Sequence, residues 1–316
     1  MRFFSLAICI TFSGMIMYSS VGAQSNNNDE LYVDYKKYFE ESFKLLSSDK
    51  PLPAKNAEEL RDSAIYLVDE AAPRINITTL PGNKKLMKNE DIFIRRKNSV
   101  YIFGKLLKRK PNGNVDFELT GTAFAIDEDG ICATNYHVLQ DIIQKKEAEN
   151  NTDSIYFIMT PDKNVFILDK VLAYSQNNDF ALFKVNTRLE KLQAIPFGKP
   201  ARVGATAYCI SHPTGYFYYL SKGIVARNVV VTGEQAAAGF NPEGKPLIRM
   251  EITADYGIGS SGGPILDQYG NLIGIVSSTI AVNSGPVNAI IPGHQQMVIK
   301  DAIPVKAITE LLRKER

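Results

Sequence analysis

Three short segments hold the residue types needed for a nucleophilic site. In GIGSSGGPILDQYGNLIGIVSS, residues 257–278, two adjacent serines sit among Gly257, Gly259, Gly262 and Gly263. Glycines permit close or unusual backbone paths. A nucleophile needs an exposed hydroxyl beside backbone N–H groups aimed where an oxyanion forms. Ser260 and Ser261 are not separable on that ground. In GTAFAIDEDGICATNYHVL, residues 121–139, His137 follows the apolar run ICAT, and the whole chain has only three histidines. Imidazole is the side chain best suited to take and return a proton near neutral pH. In SQNNDFALFKV, residues 175–185, Asp179 leads into the β-like run FALFKV. Such an acid can accept the Nδ1–H of an imidazole and turn its Nε2 toward a serine. Taken singly, each residue has a plainer role: a solvent turn around the serines, a structural imidazole, a turn carboxylate.

Other chemistries find little support. His137, His212 and His294 are far apart, and neither HExxH nor CxxC occurs, so no metal site is expected. The glycine-rich strand-to-helix phosphate motif is missing, and no cofactor is expected. The basic clusters RRK and KRK near 95–110 are short and mixed with strand residues, which reads as solvated edges rather than a nucleic-acid surface. An α/β-hydrolase would place serine, acid and histidine in that order along the chain, which this chain does not.

The elements that must position these groups are mostly strands. From about residue 98 the sequence breaks into short β-rich runs, among them SVYIFGKLLK, VDFELTGTAFAI, SIYFIM and NLIGIVSSTI. Turn signals PNGN (111–114), DEDG (127–130) and QYGN (268–271) separate them. Many short strands at this spacing argue for a sandwich or barrels. Ahead of them, Leu31, Tyr35, Phe39, Phe43 and Leu46 recur at helical spacing, predicting a helix over 29–47. A second helical pattern, with Leu60, Ala64, Leu67 and Val68 on one side, covers roughly 57–71. At the other end PVKAITELLRKER predicts a helix opened by Pro304.

Residues 1–23 read as an export signal: Arg2, an apolar stretch to about Met17, then small residues up to VGA at 21–23. No later segment has the length of apolar sequence that spans a bilayer, so no stable membrane span is expected once the signal is removed. Lys and Arg number 36 against 34 Asp and Glu, and one of those bases lies in the signal, so the remainder is nearly neutral. That gives no general pull toward nucleic acid or anionic membrane. Outside the signal only Cys132 and Cys209 remain, both in apolar runs. They read as two buried thiols, with a bridge between them as the alternative.

The ordered set His137, Asp179, Ser261 follows the chymotrypsin order of a catalytic triad. With TNYHVL, NNDFALFKV, GSSGGP and the terminal DAIPVKAITELL, the chain resembles a chymotrypsin-fold serine protease of the HtrA/Deg-type or glutamyl-endopeptidase-like branch without a PDZ domain. The resemblance covers about 97–313 and implies an all-β core: a double antiparallel β-barrel with a helical N-terminal extension and a short C-terminal helix. The whole chain then divides into a signal at 1–23, a polar start and helical extension at 24–96, and a protease domain at 97–316. Within that domain, barrel 1 spans about 97–190, barrel 2 about 200–302 and the last helix about 304–314.

The resemblance also selects Ser261 over Ser260, and implies an oxyanion hole from the N–H groups of Gly259 and Ser261. It places a substrate-binding strand edge at Ser277, Ser278 and Thr279. Asp255, six residues before Ser261, takes the place of the acidic pocket residue of trypsin-like members, while Thr279 stands where an open pocket has glycine. Ser260 replaces the acid used in zymogen activation. The expected activity is endopeptidase action on proteins or peptides, secreted or periplasmic, with a catalytically silent peptide-binding module as the alternative. His212 and His294 are expected in solvent-facing loops.

Overall fold

The computed structural model describes residues 32–46, 54–63, 66–67, 77–106, 117–144, 154–233, 244–284 and 295–312. The signal read at 1–23 and His294 lie outside them. The chain opens with helix α1 (Tyr35–Leu46), helix α2 (Ala57–Asp62) and a two-residue strand β1 (Tyr66–Leu67). The second helix is shorter than its periodicity predicts. Asn56 caps its start through the Glu59 amide, and at its end Ser63 Oγ accepts the Val171 N–H at 3.1 Å. That bond ties the chain to a neighbouring strand, and Tyr66 and Leu67 then pair with Ala173 and Tyr174 in parallel register. An open strand edge supplies backbone partners that continued helix does not need but a strand does.

A further helix, α3 (Asn89–Arg96), precedes the first barrel. It has no clear signal in the sequence, since its one deep apolar anchor is Ile92. Barrel 1 follows, with β2 (Val100–Leu106), β3 (Phe117–Ala125), β4 (Ile131–Thr134), a short helix α4 (Gln140–Ile143), β5 (Ile155–Met159), β6 (Val165–Ser175) and β7 (Phe180–Val185). The order is β1-β6-β5-β2-β3-β4-β7, and β6 also pairs with β7, which closes the sheet.

Barrel 2 is a closed barrel of β8 (Thr206–Ser211), β9 (Tyr219–Val231), β10 (Leu247–Ile252), β11 (Pro264–Leu266), β12 (Leu272–Asn283) and β13 (Gln295–Pro304). The C-terminal helix α5 (Val305–Leu312) continues directly from β13. This is the double antiparallel barrel with flanking helices that the resemblance implies.

Each barrel fills its own interior, as closure without strand edges requires. Tyr101, Phe103 and Phe183 pack inside barrel 1, and Val225, Met250 and Ile265 inside barrel 2. A third cluster joins them: Phe124 and Leu182 of barrel 1 meet Ile210 and Ile275 of barrel 2, sealed by Ile92 of α3 and Ile308 of α5. The site residues lie along this seam. Cys132 and Cys209 are free, buried thiols, one in each barrel's core.

Candidate active site

Barrel 1 carries the imidazole and the carboxylate. His137 opens a single 3-10 turn just after β4. Asp179 stands at the head of β7 with φ of 58°, a left-handed conformation that aspartate tolerates better than most residues. Buried Asn135 fixes it there, its Nδ2 donating to the Asp179 carbonyl at 2.9 Å. The Asp179 carboxylate is buried against the ring. His137 Nδ1 lies 2.9 Å from Oδ1 and 3.0 Å from Oδ2, and the His137 backbone N–H donates to Oδ1 at 3.1 Å. An ionised carboxylate only accepts, so the ring proton belongs on Nδ1 and Nε2 is the basic nitrogen.

Barrel 2 carries the serines, and their surroundings differ. Ser260 is fully buried; its hydroxyl bonds Ser211 Oγ at 2.9 Å and accepts the Gly257 N–H at 3.3 Å. Ser261 is partly exposed, and among the described residues its hydroxyl bonds to nothing. The loop around it needs glycine at two points. Gly259 has φ of 90°, and a Cβ there would lie 2.7 Å from the His212 carbonyl oxygen. Gly262 has φ of 83°, and its Cβ would lie 2.2 Å from both the Thr122 carbonyl oxygen and Thr134 Oγ1.

The barrels are stitched together at this loop. Thr122 of β3 donates its N–H to the Ser261 carbonyl at 2.8 Å and its hydroxyl to the Gly259 carbonyl at 2.9 Å. Thr214 donates its N–H to the Ile258 carbonyl at 2.7 Å. Because a trans peptide points its C=O and N–H in opposite directions, engaging the Ile258 carbonyl fixes where the Gly259 N–H points. Among the described residues, the N–H groups of Gly259 and Ser261 donate to no protein acceptor. On the other side of the seam, Ser277 Oγ of β12 donates to Asp179 Oδ2 at 2.9 Å.

Buried charge surrounds Asp179. Arg249 is 8% exposed, and its Nε lies 3.4 Å from Asp301 Oδ2. Burial lowers the Arg249 pKa, against the opposing pull of Asp301 and Asp179. Burial pushes the Asp301 carboxyl up to about 6, a rise that Arg249 moderates. The guanidinium therefore offsets two acids in a poorly solvated region.

Beyond Val276, β12 keeps β13 on one side through Ser278–Asp301 and Thr279–Lys300, while β11 ends opposite Ile275. Among the described residues no strand covers the other edge there, and Ser278 and Thr279 are exposed. Asp255 turns outward instead of toward that edge: its side chain is 81% exposed, with Oδ1 3.6 Å from Lys300 Nζ. Its neighbour Tyr256 is the residue that turns in, its hydroxyl 3.0 Å from the Ser278 carbonyl and 2.7 Å from the Asp301 carbonyl.

His212 differs from its expected solvent-facing place. It is 4% exposed, and its Nδ1 accepts the Tyr218 N–H at 3.0 Å. The Tyr218 ring packs edge-on at 4.7 Å, and burial drives the imidazole pKa down to about 3. Sequence reasoning also missed the positioning roles of Asn135, Thr122 and Thr214. Asn135 lies within TNYHVL, two residues before His137, and that closeness was its available signal.

A protein-family profile described as a trypsin-like peptidase domain matches residues 121–275, which contain His137, Asp179 and Ser261. The matched segment resembles protease domains of the HtrA/Deg type. This chain is 29% identical over 197 residues to Protease Do-like 5, chloroplastic, of Arabidopsis thaliana, covering 60% of this chain and 58% of that protein. It is 26% identical over 211 residues to a probable periplasmic serine endoprotease DegP-like of Brucella suis, covering 66% of this chain and 37% of that protein. This chain thus spans well under two thirds of the length of either relative. Among solved structures, the HtrA-type protease AlgW with a decapeptide shares the fold at a TM-score of 0.53 and 20% identity, covering 72% of this chain and 66% of that one. The His137–Asp179 pair lies at the seam of the two barrels, with the carboxylate buried and the imidazole partly exposed.

Proposed function

We propose that the protein is a serine endopeptidase with His137, Asp179 and Ser261 as its triad. The observation that carries this reading is the grip of the buried Asp179 carboxylate on His137 Nδ1, opposite a glycine loop clamped across the seam by Thr122. His137 Nε2 takes the Ser261 proton as Oγ attacks a peptide carbonyl, and the imidazolium returns it to the leaving amine. Catalytic hydrogen bonds often tighten only when substrate is bound. The N–H groups of Gly259 and Ser261 receive the oxyanion; one such donor is worth about 10²–10³ in rate. Water then repeats the cycle on the acyl-enzyme.

The uncovered β12 edge at Ser277–Thr279 receives the substrate backbone as an added antiparallel strand. The outward turn of Asp255 and its nearness to Lys300 argue against a pocket selective for Arg or Lys. The residue partition into a signal at 1–23, an extension at 24–96 and the protease domain at 97–316 remains the preferred one. A periplasmic or secreted location follows from the export signal read in the sequence and from relatives described as periplasmic.

A fluorophosphonate probe tests this. Wild-type protein labels at Ser261 and cleaves members of a diverse peptide library, and Ser261→Ala does neither. Peptide binding without labelling or cleavage by wild-type protein would instead establish the silent binding module.

A further inference from the structure

The helix α1 touches the far side of the loop that orients the Gly259 amide. Its Phe39 is 4% exposed, and its ring stacks on Phe217 with centroids 5.6 Å apart. Tyr35, one turn earlier, meets the Tyr218 ring at 4.8 Å. Lys163 pins the outer face of the helix, bonding Glu41 at 2.7 Å and lying 3.9 Å over the Tyr38 ring. The loop between His212 and Tyr218 is strained. Thr214 and Tyr218 have φ of 46° and 56°, left-handed values that branched and aromatic residues avoid. Such conformations persist only where the surroundings enforce them.

Two contacts do so: within the loop His212 Nδ1 accepts the Tyr218 N–H, and Thr214 donates outward to the Ile258 carbonyl. The outer wall is α1 together with barrel 1, where the Tyr218 hydroxyl donates to the Met159 carbonyl at 3.4 Å. A continuous path therefore runs from Phe39 and Tyr35 through Phe217 and Tyr218 to His212 and Thr214, and from there to the Ile258–Gly259 peptide.

We propose that α1 is a positioning brace for the oxyanion site. By pressing on Phe217 and Tyr218 it keeps the strained loop in place, and the loop keeps the Gly259 N–H pointing toward the reacting carbonyl. This rests on the hydrolase reading above. It gives the N-terminal extension a role in catalysis without contact with substrate, and it makes the helix supportive, not inhibitory.

The test uses the full exported chain with Phe39→Ala, Phe39→Leu and Tyr35→Ala, and a quenched peptide that the wild type cleaves. A brace acting on the transition state predicts that Phe39→Ala loses about 10-fold or more in kcat while KM stays within about twofold. Affinity for a peptidyl trifluoromethyl ketone, whose oxyanion occupies the same site, should fall in parallel with kcat. Phe39→Leu, which keeps the apolar contact, should recover most of the loss. Circular dichroism confirms that each variant is folded at the assay temperature. Tyr35→Ala removes a half-buried ring and serves if Phe39→Ala does not fold.

Unchanged kcat in a folded variant overturns the proposal, as does a loss confined to KM, or a rise in activity. Wild-type protein that shows no Ser261-dependent cleavage overturns the hydrolase reading itself. An active wild type with indifferent variants overturns only the brace.

Discussion

Ser277 of barrel 2 donates its hydroxyl to Asp179 of barrel 1 at 2.9 Å, on the same carboxylate that binds His137. The acid is thereby held from both barrels at once. Two of its donors, Ser277 Oγ and the His137 amide, would keep its orientation even as the imidazole gains and loses a proton. Hydrogen bonds to charged acceptors contribute about 1.5–3 kcal/mol. Ser277→Ala should lower kcat/KM by roughly 10- to 100-fold on that basis. Ser277→Thr should retain most of it. Steady-state kinetics on one peptide decides, and equal activity in Ser277→Ala would show that Asp179 needs no support from barrel 2.

The two adjacent serines should separate cleanly. Ser260 is buried against Ser211, so Ser260→Ala should cost about 1 kcal/mol of stability through the lost hydrogen bond and leave labelling intact. Ser261→Ala should leave stability nearly unchanged and abolish labelling. Urea unfolding and fluorophosphonate labelling of both variants check the pair. A labelled Ser261→Ala would mean that the nucleophile has been misassigned.

Gly259→Ala should be nearly inactive. Its φ of 90° and the 2.7 Å approach of a Cβ to the His212 carbonyl force the peptide to move, and with it the proposed oxyanion donor. A loss of about 10²–10³ in kcat is expected. Thr122→Val removes only the hydroxyl that holds the Gly259 carbonyl and keeps the N–H to Ser261. Its loss should be smaller, about 10-fold, and should fall on kcat. Burst kinetics with an activated ester separate acylation from binding in both variants.

His212 should make the protein acid-sensitive. Its folded-state pKa is lowered to about 3 by burial, from an ordinary 6.5. The unfolded chain takes up a proton below pH 6.5 while the folded chain does not. This contribution is therefore complete above pH 6.5 and is lost progressively as pH falls toward 3. At pH 4.5 the loss is about 3 kcal/mol. Urea midpoints at pH 7 and 4.5 should converge more closely in His212→Gln than in the wild type. An identical drop in both would place the acid sensitivity elsewhere.

Much of the site was legible because it is written in short segments. TNYHVL, NNDFALFKV and GSSGGP each carry one member of the proposed triad with its local turn, and the chain order of the three linked them. Ser277 was also singled out, but as part of a substrate edge; its bond to Asp179 joins residues 98 positions apart. Asp255 shows the opposite limit. Its spacing from Ser261 suggested a pocket wall, whereas alternation along the segment turns Tyr256 inward and Asp255 out toward Lys300. The helical periodicity of 57–71 failed for a similar reason, since the β6 edge claimed Tyr66 and Leu67.

The amino-acid sequence by itself determined the strand-rich core, the two short helices that bracket it, and the three segments that bear an imidazole, a carboxylate and a hydroxyl. These depend on local periodicity, turn chemistry and glycine placement, all of which act over a few residues. Only the tertiary structure decided that Ser260 is buried while Ser261 is accessible, that Thr122 and Ser277 reach across the seam, and that α1 leans on the loop holding Ile258. Those outcomes depend on which backbone carbonyls and side chains meet when two closed barrels pack together, and no spacing along the chain encodes that meeting.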